Sequence, residues 1–142
     1  MEYISIIIAV ISVIFSVITY LQNVAHDRKQ ATLDAFSKLQ SEVFDELNHI
    51  TKSEITEISN NPRSSEYKEL SKNLARIEHF CVGINTRVYD LHIVKRLAGR
   101  YIIAAYEKFL PIIEKKRSIN KSAKHYEEFE TAVNKLKKDY EK

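Results

Sequence analysis

The chain reads as all-α: an apolar N-terminal helix long enough to cross a bilayer, then a three- to four-helix antiparallel bundle. Three observations predict this. Only two Gly and two Pro interrupt 142 residues, and N-G, D-G and P-G turn dipeptides are absent. Glu, Lys, Leu and Ala are frequent after Gln22, which favours helix. Apolar residues recur at spacings of three and four rather than alternating. Length allows one modest core and no second domain, so the chain divides into a span at 1–22 and a bundle at 23–142.

Residues 3–21, YISIIIAVISVIFSVITYL, carry no charge and no helix breaker. At 1.5 Å per residue they cover roughly 28 Å, close to the thickness of a hydrocarbon core. Their Ile, Val, Phe and Leu residues contribute about −5 kcal/mol to insertion, which outweighs the cost of three Ser and one Thr. Tyr3 and Tyr20 stand where interfacial aromatics belong. A cleaved signal peptide fits less well, because Glu2 replaces the usual cationic start, the apolar run is too long and no A-x-A-like site follows. All 22 Lys and Arg lie after the span, beginning at Arg28 and Lys29. The positive-inside rule therefore predicts an inner-membrane, single-pass protein with its N-terminus outside and its C-terminal domain in the cytoplasm. The single Cys81, with no partner in the chain, agrees with a reducing compartment.

Within the span the small residues Ser5, Ala9, Ser12, Ser16 and Thr19 recur at four, three, four and three, a heptad seam covering an arc of about 80°. Small residues let helix backbones approach in lipid, and their hydroxyls can bond between helices, so the seam predicts a left-handed, coiled-coil-like homo-oligomer. Two other uses fit the same residues. The hydroxyls can bond back to their own helix carbonyls, or they can line a narrow pore.

Beyond the span Leu33, Phe36, Val43, Leu47 and Ile50 keep helical spacing, and no Gly or Pro intervenes before Pro62. The membrane helix is expected to continue toward Ile58, although Asn23, His26 and Asp27 would also suit a short break. Asn60, Asn61, Pro62, Arg63, Ser64 and Ser65 form a turn, with Ser64 or Ser65 capping the next helix. That helix has Tyr67, Leu70, Leu74, Ile77, Cys81 and Ile84 in one stripe and ends between Gly83 and Thr86. Asp90 caps a third helix bearing Leu91, Val94, Leu97, Ala98, Tyr101, Ile102, Ala105 and Phe109, which Pro111 bends or ends. Gly99, inside it, points to close approach of a neighbouring helix. A basic loop follows, and Ser122 caps a fourth helix with Tyr126, Phe129, Val133, Leu136 and Tyr140 on one side.

The runs Gly83-Ile84-Asn85-Thr86-Arg87-Val88-Tyr89-Asp90-Leu91 and Leu97-Ala98-Gly99-Arg100-Tyr101, followed by Tyr106-Glu107-Lys108-Phe109-Leu110-Pro111-Ile112-Ile113, resemble the membrane-anchored bacterial proteins of domain-of-unknown-function family 4760. The resemblance implies the architecture just described and a bacterial or prophage setting. It supplies no catalytic residue.

No established catalytic signature is present. His26, His49, His79, His92 and His125 are scattered, and none has a second His or Cys at i, i+4, so no metal and no cofactor is expected. Arg87 and His92 match the loose Arg, four to six residues, His spacing of all-α ribonucleases, a match that composition alone supplies readily. Asp45-Glu46 and Glu127-Glu128 have basic or polar neighbours within a turn or two and read as solvated faces. The strongest charge feature is Lys115, Lys116, Arg117, Lys121 and Lys124, which could touch anionic lipid or nucleic acid if that segment lies at the membrane end. Nucleic acid is the weaker choice, since after the span 22 basic residues face 18 acidic ones, Glu2 being the remaining acid. The expectation is therefore a non-enzymatic, membrane-anchored scaffold with the bilayer, further copies of itself and a cytosolic protein as partners. The alternatives are a membrane effector of a bacterial or phage conflict system and a ribonuclease.

Overall fold

The computed structural model describes residues 2–140, and no strand occurs among them. Helix α1 (Glu2–Leu39) carries the apolar run into the bundle without interruption, so Asn23, His26 and Asp27 lie inside a helix and mark no break. One π-helical turn, Gln40–Phe44, and a final α-turn, α2 (Asp45–Asn48), extend the same rod. The adjacent Val43 and Phe44 are both buried in the π turn, whose wider winding narrows the angle between neighbouring side chains.

The rod stops at Asn48, well short of Ile58. Thr51, in extended backbone, accepts a hydrogen bond from the Glu54 N–H, and the Glu54 carboxylate accepts one from the Thr51 N–H. This capping box starts α3 (Lys52–Asn60) as a separate helix. The chain then turns, and Ser64 accepts from the Tyr67 N–H at 3.0 Å to open α4 (Ser65–Asn85). The six-residue stripe expected on this helix is buried throughout, joined by Phe80 and Asn73.

Asp90 caps α5 (Leu91–Leu97) by accepting from the His92 and Ile93 N–H groups. An irregular residue, Ala98, separates α5 from α6 (Gly99–Asn120), so two helices stand where one was expected. Leu97 and Tyr101, expected in the core, are both 42% exposed, and Leu33 of α1 is 39% exposed. Pro111 does not end the helix, which runs on to Asn120. Proline removes one ladder hydrogen bond. Complete burial of the next two residues, Ile112 and Ile113, stabilises by about 1.5–3 kcal/mol each and offsets that loss. Lys121, in the left-handed region at φ 48, closes α6, with the Ser122 N–H reaching back to the Arg117 carbonyl.

Ser122 does not cap the last helix, α7 (Glu127–Tyr140), because its hydroxyl accepts from the Lys124 N–H inside the link. The cap comes from another helix: the Glu78 carboxylate of α4 accepts from the Glu128 N–H at 3.1 Å and the Phe129 N–H at 2.6 Å.

Phe36 of α1 lies between Phe80 of α4 and Tyr101 of α6, with ring centroids 6.3 and 5.9 Å away. Arg76 pairs with Glu42, and Asn73 donates to Glu46, so α4 runs antiparallel to α1. Arg117 meets Glu130 and Glu107 meets Lys137, each at 2.6 Å, so α7 runs antiparallel to α6. Four long helices thus enclose one core, with α3 and α5 as short braces. Both glycines serve close approach. A Cβ on Gly99 would stand 2.5 Å from the Tyr140 hydroxyl of α7, and one on Gly83 would enter the Tyr89 ring.

Candidate functional site

From Tyr3 to Val24 every side chain is exposed, and the apolar window has no protein covering it. The helix Tyr3–Asn48 is long and apolar enough to cross a membrane, the single candidate span among the described residues. In its seam the Ser12 hydroxyl donates to the Ile8 carbonyl and the Ser16 hydroxyl to the Ser12 carbonyl, both at 2.8 Å. These bonds cost no contact surface. The face stays small and exposed, with Ala9 between the hydroxyls.

The seam has a definite relation to the bundle. Arg28 is the first residue of α1 to be partly covered, and Thr32, Phe36 and Leu39 are buried. At 100° per residue these four centre roughly 175° from the centre of Ser5, Ala9, Ser12, Ser16 and Thr19. One unbroken helix therefore presents small residues on one side of the span and holds the bundle on the opposite side.

The span-side end of the bundle is fixed by polar contacts. Arg28 donates from its guanidinium to the Tyr89 carbonyl at 3.3 Å, and the Asp90 N–H donates to the Thr32 hydroxyl at 2.8 Å. The α4–α5 link and the start of α5 therefore lie next to the span. Beside them opens a cavity of about 510 Å³ lined by His92, Lys95, Arg96, Leu97, Arg100, Tyr101 and Tyr140. A larger groove of about 780 Å³ lies toward the far end, where Ile50, Ile58 and Leu70 are ringed by Glu46, Glu54, Glu57, Glu66 and Glu69. No Lys or Arg lines this groove and no Asp or Glu lines the smaller cavity, among the described residues. The two concave sites thus differ in charge, the one near the span lined by cationic side chains and the one away from it by anionic ones.

The basic stretch singled out in the sequence is not a loop. Lys115, Lys116 and Arg117 sit half-buried in the last turns of α6, and only Lys121 and Lys124 belong to the exposed link. Arg117 is committed, donating to the His125 carbonyl at 2.8 Å and the Glu130 carboxylate at 2.6 Å. The link is pinned to the first third of α4, where the Tyr126 hydroxyl donates to the Ser71 carbonyl. Burial pushes that phenol up to about 12. Arg87, at φ 62, does not line the cavity that His92 lines. No group of three His, Cys, Asp or Glu able to hold a metal occurs among the described residues. Cys81 is fully buried, and burial pushes its thiol well above the ordinary value.

The span-side cavity is not among the features expected from the sequence. Its signal was present as His92, Lys95, Arg96 and Arg100 at helical spacing with Tyr101 beside them, but the three- and four-residue apolar pattern assigned Leu97 and Tyr101 to the core.

A helical bundle carried on one long apolar helix defines the class. Within it, the chain belongs to the family whose model, described as Domain of unknown function (DUF4760), matches residues 6–136. That match takes in most of the apolar helix as well as the bundle. No curated protein matches, and no solved structure matches.

Proposed function

We propose that this chain is a non-enzymatic membrane anchor that self-associates through its span and displays its bundle to a protein partner in the cytoplasm. The observation that carries the reading is the opposition of seam and bundle on α1. Two copies meeting along Ser5, Ala9, Ser12, Ser16 and Thr19 keep their bundles on the outer sides of the pair, where the bundles do not obstruct close approach of the spans. Had the seam and the bundle shared a face, the bundles would hold the spans apart. The orientation, N-terminus outside, follows from the concentration of every Lys and Arg after the span.

The test is the mass of the full-length protein in nanodiscs, beside that of the Ser12→Leu, Ser16→Leu variant. An oligomer that dissociates in the variant supports the reading. A wild-type monomer, or an oligomer indifferent to both substitutions, refutes it. The unbroken passage of α1 from span to bundle favours one second reading, a membrane effector in which clustered bundles force the spans together and breach the bilayer. Dye release from vesicles separates the two: an effector leaks dye and loses that activity with Ser12→Leu, Ser16→Leu, whereas an anchor leaks none.

A further inference from the structure

We propose that the span-side cavity binds a phosphate monoester, carried either by a lipid headgroup or by a free organic phosphate. This goes beyond the anchor reading and holds whether or not the spans associate. Arg96 and Arg100 flank the irregular residue Ala98, both are exposed, and both line the cavity with His92 and Lys95. Guanidinium groups match phosphate oxygens two at a time, which makes paired arginines a better phosphate clamp than scattered lysines.

The cavity is a built feature rather than a patch of charge. Gly99 leaves room for the Tyr140 ring, and the Tyr140 hydroxyl donates to the Lys95 carbonyl at 2.7 Å, fixing the last turn of α7 as one wall. Its volume of about 510 Å³ falls in the range of small-ligand sites. Leu97 and Tyr101, each 42% exposed, add apolar surface that bare phosphate would leave uncovered. The chemistry that fills both parts is a phosphoryl group attached to an organic body.

Position makes the lipid source reachable. Thr32 and Phe36, the α1 residues that pack against this end, lie roughly 12–18 Å past Val24 along the helix axis. Headgroups occupy about 5–8 Å of that distance, so this end of the bundle stands about 4–13 Å, roughly half to one and a half Debye lengths, from the anionic layer at physiological salt. The acidic groove faces the other way along the bundle, and the two ends together orient the cationic cavity toward negative charge.

The experiment uses full-length protein in phosphatidylcholine nanodiscs. In one arm phenyl phosphate is titrated and the unfolding midpoint is followed; in the other, midpoints are compared between phosphatidylcholine discs and discs doped with phosphatidic acid. The Arg96→Gln, Arg100→Gln variant should weaken binding by on the order of tenfold or more. Arg96→Lys, Arg100→Lys, which keeps charge but not the fork, should lose part of it, and Lys121→Gln, Lys124→Gln should lose none. Stabilisation by phenyl phosphate that depends on the arginines assigns a free organic phosphate. Arginine-dependent stabilisation by phosphatidic acid alone assigns a lipid headgroup. No stabilisation in either arm, or stabilisation that survives Arg96→Gln, Arg100→Gln, overturns the proposal.

Discussion

Replacing Glu78 with Ala should destabilise the bundle by about 2 kcal/mol, because it removes the cap of a helix to which Glu78 does not belong. The first N–H groups of a helix have no partner within it. Here those of Glu128 and Phe129 are served by one carboxylate at 3.1 and 2.6 Å, and Phe129 is itself fully buried. Losing an N-cap typically costs about 1 kcal/mol, and leaving a buried donor unpaired adds about as much again. For a bundle of this size that lowers the unfolding midpoint by roughly 8 °C. Glu78→Gln, which keeps one acceptor oxygen, should lose about half as much. The carboxyl has a pH signature as well. Burial is the dominant influence and raises its pKa above the ordinary carboxylate value, the two N–H groups pull it down, and the Glu128 carboxylate raises it again. The folded state therefore binds this proton more readily than the unfolded state. The advantage of wild type over Glu78→Gln is full below the unfolded value and shrinks as pH rises through the raised folded one. Chemical unfolding of full-length protein in detergent, followed by circular dichroism across that pH range, measures both effects. A Glu78→Ala variant within about 0.5 kcal/mol of wild type would refute the cross-helix cap, and an advantage that grows with pH would refute burial as the dominant influence on this carboxyl.

The two glycines should respond differently to alanine. Gly99→Ala meets only the tip of the half-exposed Tyr140, so the lost hydrogen bond to Lys95 and the gain in helix propensity cancel to within about 0.5 kcal/mol. Gly83→Ala collides with the Tyr89 ring, held by stacking on Phe80 at 4.9 Å, and should cost about 1–3 kcal/mol by the same unfolding assay. Cys81 should resist alkylation in the folded protein even as pH is raised toward 9, because burial keeps the thiol protonated and covered; mass spectrometry should find labelling only once denaturant unfolds the bundle. Thr51→Ala removes the box that starts α3, and hydrogen exchange should speed up across Lys52–Asn60 while α4 keeps its protection.

Much of the architecture was legible because its causes are local. The α4 stripe and the Asp90 and Ser64 caps each follow from residues within a few turns, and Gly99 announced a close approach without naming what approaches. The misreadings have local causes too. Thr51-x-x-Glu54 is a written start signal that unbroken apolar periodicity obscured, and Pro111 survives inside α6 because burial of the next two residues outweighs one lost hydrogen bond. What no single segment contains is contact between distant ones. The capping of α7 by Glu78, the capture of Arg117 by Glu130 and the wall that Tyr140 builds over Gly99 join residues far apart in sequence, and the span-side cavity is made of such meetings. The seam was readable from spacing alone, yet its relation to the bundle required knowing which residues of α1 are covered.

With residues 3–48 forming one rod whose only irregularity is the π turn, the anchor proposed above is a lever with its fulcrum in the bilayer. Asn48 lies roughly 36 Å beyond Val24, so a tilt of about 20°, ordinary for a spanning helix, swings that end sideways by about 12 Å. The apolar stretch of residues 3–21 is about 28 Å long against a hydrocarbon layer of about 30 Å, so in a thinner layer leaning is the cheapest way to absorb the surplus. A thinner membrane would therefore move the acidic groove across the membrane plane, and lipid composition alone would reset where this end of the protein can reach.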